Sequence, residues 1–178
     1  MLKKIVQKSD NVLRKETKEI SISQIKTPKI QKILKEMSDA LFSQNDGVAI
    51  AAPQIGYSLK IFVVAGKMFD KDFLRGEGVI NKARKDLPPD LVFINPVISK
   101  LSREKDWVPE GCLSVRWLYG NTYRSKKATI TAYDENGKKF TRGASGLLAQ
   151  VFQHETDHLK GVLFIDHAKD IKEETPIK

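Results

Sequence analysis

The chain has 178 residues, 31 Lys and Arg against 22 Asp and Glu, a formal net charge of +9 and a single cysteine, Cys112. That length suffices for one domain with a real core, and 40% hydrophobic with 8% aromatic content excludes global disorder. One cysteine excludes an internal disulfide framework, and no apolar run is long enough for a signal-peptide core or a membrane span, so a cytoplasmic protein is expected.

The positive charge is concentrated at residues 1–40, with ten basic and five acidic side chains, and at 121–142, with six and two. Scattered lysines of this kind serve solubility, and the sharper reading is weak attraction to RNA or a ribosome. No nucleic-acid-binding motif accompanies the charge, so no specific nucleic-acid partner is expected. Residues 27–43 predict a helix, with Thr27 at the N-cap and Pro28 in the first turn. Ile30, Ile33, Leu34, Met37, Leu41 and Phe42 give it an apolar stripe of helical period. Lys60–Ala65 and Leu91–Asn95 read as buried strands, and 67–90, charged and containing Pro88-Pro89, as a solvated loop insertion. Ala128–Tyr133 predicts a strand that turns at Asp134-Glu135-Asn136-Gly137 into Lys138–Arg142. A second helix is expected over 145–160, capped by Ser145 and stopped by Gly161. Its stripe of Leu147, Val151, Glu155 and His158 should face inward. Strands with only two long helices indicate an α+β fold in one domain spanning 1–178.

That second helix contains His154-Glu155-Thr156-Asp157-His158. Histidines at i and i+4 share one face and can converge on one metal ion. A bound divalent ion lowers the pKa of water toward about 7, and a neighbouring carboxylate such as Glu155 can then take its proton. The third ligand separates families. A thermolysin-like Glu is missing at the required distance, and Phe164 stands at the third-ligand position of the metzincin pattern. Cys112, in Glu110-Gly111-Cys112-Leu113-Ser114, remains; by spacing alone it is equally an inert buried thiol or a thiolate ligand.

Three motifs in order resemble those of the peptide deformylase family. Gly47-Val48-Ala49-Ile50-Ala51-Ala52-Pro53-Gln54 matches G-x-G-x-A-A-x-Q except at Ala49. Glu110–Ser114 matches E-G-C-L-S throughout, and Gln153–His158 matches Q-H-E-x-D-H throughout. The resemblance spans nearly the whole chain. It implies antiparallel and mixed sheets around a central helix bearing the H-E-x-x-H motif, with an N-terminal amphipathic helix. It implies a hydrolase that removes the formyl group from N-formylmethionyl nascent peptides and releases formate. Cys112, His154 and His158 would hold one divalent metal, Fe(II) foremost, with Zn(II), Ni(II) or Co(II) as other occupants. Glu155 would be the general base, while the Gln54 amide and the Leu113 backbone N–H would stabilise the oxyanion. Gly47, Val48 and Ala49 would lie along the substrate, with Glu110, Gly111 and Val151 around the methionine. Arg124 would pair with Glu110.

Some positions depart from the family pattern. Ala49 replaces a glycine, so its methyl demands negative φ or narrows the groove. Arg116-Trp117 stands where many relatives have Pro-Gly. The family's long C-terminal helix has no counterpart here, so weak ribosome association would use 1–40 or 121–142. Ala49 and Arg116-Trp117 also leave room for two alternatives: a deformylase-like amidohydrolase with another substrate, or a catalytically idle binding protein of the same fold.

Overall fold

A computed structural model describes residues 2–74 and 82–175. In chain order it contains α1 (Pro28–Phe42), β1 (Ala49–Ala51), β2 (Ile61–Val64), α2 (Lys71–Leu74), β3 (Leu91–Leu101), β4 (Lys105–Gly111), β5 (Leu118–Ser125), β6 (Lys127–Tyr133), β7 (Lys139–Ser145), α3 (Gly146–Leu159) and β8 (Lys169–Glu173), with short 3-10 turns between them. Five strands form one sheet in the order β1-β2-β3-β6-β7, and three form another, β4-β5-β8. The expectation of mixed sheets is corrected: strand pairings among the described residues are antiparallel, and the parallel contact is a lone bridge between Lys18 and Leu59.

Both faces of the larger sheet are covered. Ile61 and Val63 join Ile50 and Ile94 against Ile33, Met37 and Leu41 of α1. Phe62 and Val64 turn the other way and meet Val151 and Phe152 of α3, together with Phe93 and Ile130. A strand buried on two sides needs apolar residues in succession, which is why β2 reads as a continuous run. Phe62 stacks on Phe93 at 4.5 Å, and Phe152 meets Phe93 edge-on at 5.2 Å. The opposite flank of α3 meets β5, where Gln153 Nε2 donates to Ser125 O and Ser125 N–H donates to Gln153 Oε1, each at 2.9 Å. The helix therefore lies between the two sheets.

Thr27 and Ser145 take N-cap backbone conformations, but neither side chain caps its helix. The Thr27 hydroxyl instead donates to Gln24 O at 2.7 Å. At the other end of α3, Gly161 adopts φ +74°. Its N–H donates to His158 O, and the Val162 N–H donates to Asp157 O, a Schellman closure that fixes the turn bearing His158. A Cβ on Gly161 would lie 2.7 Å from the Arg14 carbonyl carbon, so glycine also lets the N-terminal segment pack there.

Three expectations need correction. The strand from Leu91 continues past Asn95 to Leu101, because Asn95 at φ 49° and Pro96 fall in a register shift between Ile94 and Val97, where a missing donor is tolerated. The 67–90 stretch is not uniformly solvated: Met68 and Asp70 are buried, and Lys82 Nζ donates to both Asp70 oxygens at 2.8 and 2.9 Å. The expectation for 75–81 lies outside the described residues. Leu147 is 46% exposed rather than inward-facing, because the first turn of α3 overhangs a cleft. The stretch where the sequence offered no element, Lys169–Glu173, is a strand that pairs with β5. No helix among the described residues is long and apolar enough to cross a membrane.

Candidate metal centre and substrate cleft

Cys112 directly follows β4, and α3 places His154 and His158 one turn apart. Their donor atoms all lie within 4.8 Å of one another, with Cys112 Sγ 3.2 Å from His158 Nε2. His154 Nδ1 lies 2.6 Å from Glu110 Oε1, which leaves Nε2 for an ion. A thiolate and two imidazoles suit Fe(II), Zn(II) and similar divalent ions, and the carboxylate behind His154 is the support such a ligand ordinarily has. The residues present fit a metal.

Glu110 is the hub behind the centre. Its carboxylate accepts Arg124 Nε at 3.0 Å, Arg124 Nη2 at 2.7 Å and Thr122 Oγ1 at 2.6 Å, besides facing His154. Arg124 Nη1 reaches on to Asp157 at 2.6 Å. The Arg124 pairing expected from the sequence is therefore present. Burial would raise the Glu110 carboxyl, yet the hydrogen bonds from His154 and Arg124 outweigh it and hold the group far below the usual range. Burial opposes a proton on both histidines. At His154, Cys112 and Glu110 overcome it and raise the group well above its ordinary value; at His158 burial prevails and lowers it. Both Glu110 oxygens are thus engaged behind His154, while the residue also lines the cleft.

Glu155 is 3% exposed, and its Oε2 has no hydrogen-bond partner among the described residues. Burial pushes its carboxyl up to about 7. Gln54 sits in the 3-10 turn after β1. Its Oε1 accepts the Ala51 N–H at 2.8 Å, which aims Nε2 at Ser114 Oγ (3.1 Å) and Cys112 Sγ (3.6 Å). The Leu113 carbonyl accepts Gln7 Nε2 at 3.1 Å, while its N–H meets no acceptor among the described residues.

These groups open into a cleft of about 290 Å³. Every site residue named from the sequence lines it except His158, which is buried to 1% exposure. One wall is Gly47–Ala49, beside the edge strand β1. A Cβ on Gly47 would lie 3.0 Å from Leu41 and 3.2 Å from Leu113, so a side chain here would require these leucines to give by a few tenths of an ångström. Ala49 keeps strand geometry opposite Val64, and its methyl joins the cluster under α3. Sequence reasoning missed Tyr119, Leu147 and Gln150 on the other side. Tyr119 lies against Gly111, where a Cβ would come within 2.7 Å of the ring. Leu147 stands one turn before Val151 and had a signal, but the helical stripe assigned it to the core.

Residues 2–174 match the sequence profile of the polypeptide deformylase family. The chain is 38% identical to peptide deformylase 2 of Clostridium acetobutylicum, over 93% of this chain and 94% of that protein. It is 39% identical to the peptide deformylase of Carboxydothermus hydrogenoformans, over 94% of each. Among solved structures it is similar to a peptide deformylase from Synechococcus elongatus in complex with actinonin, with a TM-score of 0.77 and 30% identity over 94% of this chain and 79% of that one. A peptide deformylase from Legionella pneumophila gives a TM-score of 0.77 and 32% identity over 96% and 88%.

Proposed function

The chain belongs to the polypeptide deformylase family, and from that membership we propose how its own residues carry out the reaction. It is a metal-dependent hydrolase that removes the N-formyl group from nascent polypeptides. Neither alternative, a changed substrate or an idle binding fold, is favoured by these relatives.

Cys112, His154 and His158 would hold the ion, Fe(II) first and Zn(II), Ni(II) or Co(II) otherwise. When bound, it supplies Lewis-acid chemistry, lowering the pKa of water and polarising the formyl carbonyl. Glu155, through the unengaged Oε2, takes the proton of the attacking water and returns it to the departing amine. Gln54 Nε2 and the Leu113 N–H donate to the oxygen on which charge develops. Gly47–Ala49 align the peptide along the open side of β1. Gly111, Val151, Tyr119 and Leu147 enclose the methionine side chain, and Glu110 holds His154 in orientation.

Residues 1–178 act as one catalytic domain in the cytoplasm. Weak ribosome association rests on the basic surfaces of 1–40 and 121–142. Failure to pellet with ribosomes at low salt would remove that part of the reading.

The observation that carries the mechanism is the convergence of Cys112, His154 and His158 beside a buried Glu155, whose Oε2 has no partner among the described residues, in a cleft of about 290 Å³. Formate release from a formyl-Met peptide, by protein loaded anaerobically with Fe(II), is the direct assay. Glu155→Gln should retain the metal and lose about 10²–10⁴-fold in turnover. Near-normal turnover in that variant would overturn the assignment of the base.

A further inference from the structure

Arg116 lies in the segment between β4 and β5 and lines the cleft together with Gly47–Ala49. Its guanidinium crosses to the turn that leads into β1. Nη2 donates to Gln44 Oε1 at 2.9 Å and to Asp46 Oδ1 at 3.1 Å, while Nη1 donates to the other oxygen of Asp46. Trp117 supports the guanidinium from beneath, with its ring centroid 4.8 Å away. From behind the same turn, Lys67 Nζ donates to Asn45 O at 2.7 Å. The turn is therefore fastened on two sides. Gly47 follows at once, where an added Cβ would lie 3.0 Å from Leu41 and 3.2 Å from Leu113.

We propose that Arg116 is a positioning residue for peptide recognition: by strapping Gln44 and Asp46 it holds the Gly47–Ala49 wall in the conformation that a peptide extending beyond the formylmethionine needs. The inference rests on the deformylase reading and deepens it. The strap touches neither Glu155 nor the ligand set, so it acts on alignment and not on the chemical step. A preformed wall spares the complex the cost of ordering it on binding, which appears in KM. A formyl-Met amide has little chain for the wall to align and should depend less on the strap than formyl-Met-Ala-Ser does.

The test is steady-state formate release by the Fe(II)-loaded full chain with both substrates. For Arg116→Ala, KM for formyl-Met-Ala-Ser should rise about fivefold, equivalent to about 1 kcal/mol, with kcat within about twofold and a smaller change for the amide. Asp46→Asn should behave alike, and the double variant should be no worse than either single one. Arg116→Lys, which supplies charge without the fork, should rescue only in part. An unchanged KM, an equal loss on both substrates, or additive single effects would overturn the proposal. So would a kcat loss that tracks metal content. Activity of the unsubstituted enzyme tests the deformylase reading separately.

Discussion

Two arginine–carboxylate pairs flank the same cleft, and they differ chiefly in burial. Arg124 and Glu110, both two-pronged to one another, have side chains 8% and 4% exposed. Arg116 and Asp46 make the same fork, but 55% of the Asp46 side chain is exposed. In the first pair, water cannot replace a lost partner, so removing one member strands a charge in a poorly polarisable interior. In the second, water and salt stand in, and the pair has little stability to give. The same chemical grouping thus backs His154 in one place and fastens the turn before Gly47 in the other. Burial decides which role each can carry.

The largest expected effect comes from breaking the buried pair. Arg124→Ala should cost about 3–5 kcal/mol, because Glu110 keeps its charge and Asp157 also loses a partner. For a chain of this size that is a fall of roughly 10 °C in melting temperature, readable by calorimetry on the metal-loaded protein. Unchanged melting and turnover would show that the network carries no load. Glu110→Gln is gentler, since the amide preserves shape but no longer offers His154 a charged acceptor. Metal affinity, measured by competition with a chelator, should fall about 10–100-fold. If affinity stays constant, His154 does not depend on the carboxylate behind it, and the contrast between the two pairs weakens.

The sequence and the structure agree where local signals are strong. The N-terminal helix is legible because its apolar residues recur at helical period and Pro28 fits its first turn; the hairpin is legible because Gly137 supplies φ +76°. The candidate metal site is legible because i, i+4 histidines around a glutamate have few other uses, and the Glu110–Ser114 motif adds the thiol. The smaller sheet is not. β8, Lys-Asp-Ile-Lys-Glu, has one apolar residue and is exposed throughout, so it owes its conformation to pairing with β5 rather than to any pattern of its own. Beyond the Arg124 pairing that the family resemblance implied, the engagement of Glu110 is hidden for a related reason. Its partners Thr122 and His154 lie 12 and 44 residues away and meet it only across β5 and α3. The exposed Leu147 shows the limit of periodicity: a helical stripe gives a direction, but not whether core or cleft lies there.

The smallest expected effect lies at the exposed pair, where it is most easily mistaken for none. Asp46→Ala should cost under about 1 kcal/mol, a few degrees at most, and salt should shrink the difference. Its signature is the pH dependence. The Arg116 guanidinium holds the Asp46 carboxyl below its ordinary value of 3.8, against a smaller opposing push from burial. A carboxyl lowered in the folded state contributes stability that is fully present above its unfolded pKa and is lost as pH falls through the folded one. The melting temperatures of the parent and Asp46→Ala should therefore differ by a constant amount between pH 7 and pH 5 and converge below the ordinary aspartate value. Arg116→Ala should narrow its gap to the parent over the same interval without closing it, because protonating Asp46 weakens the Asp46 fork but leaves the bond to Gln44 and the Trp117 contact that the substitution also removes. Should either gap persist unchanged into acid, the fork is not what ties this turn to the rest of the protein.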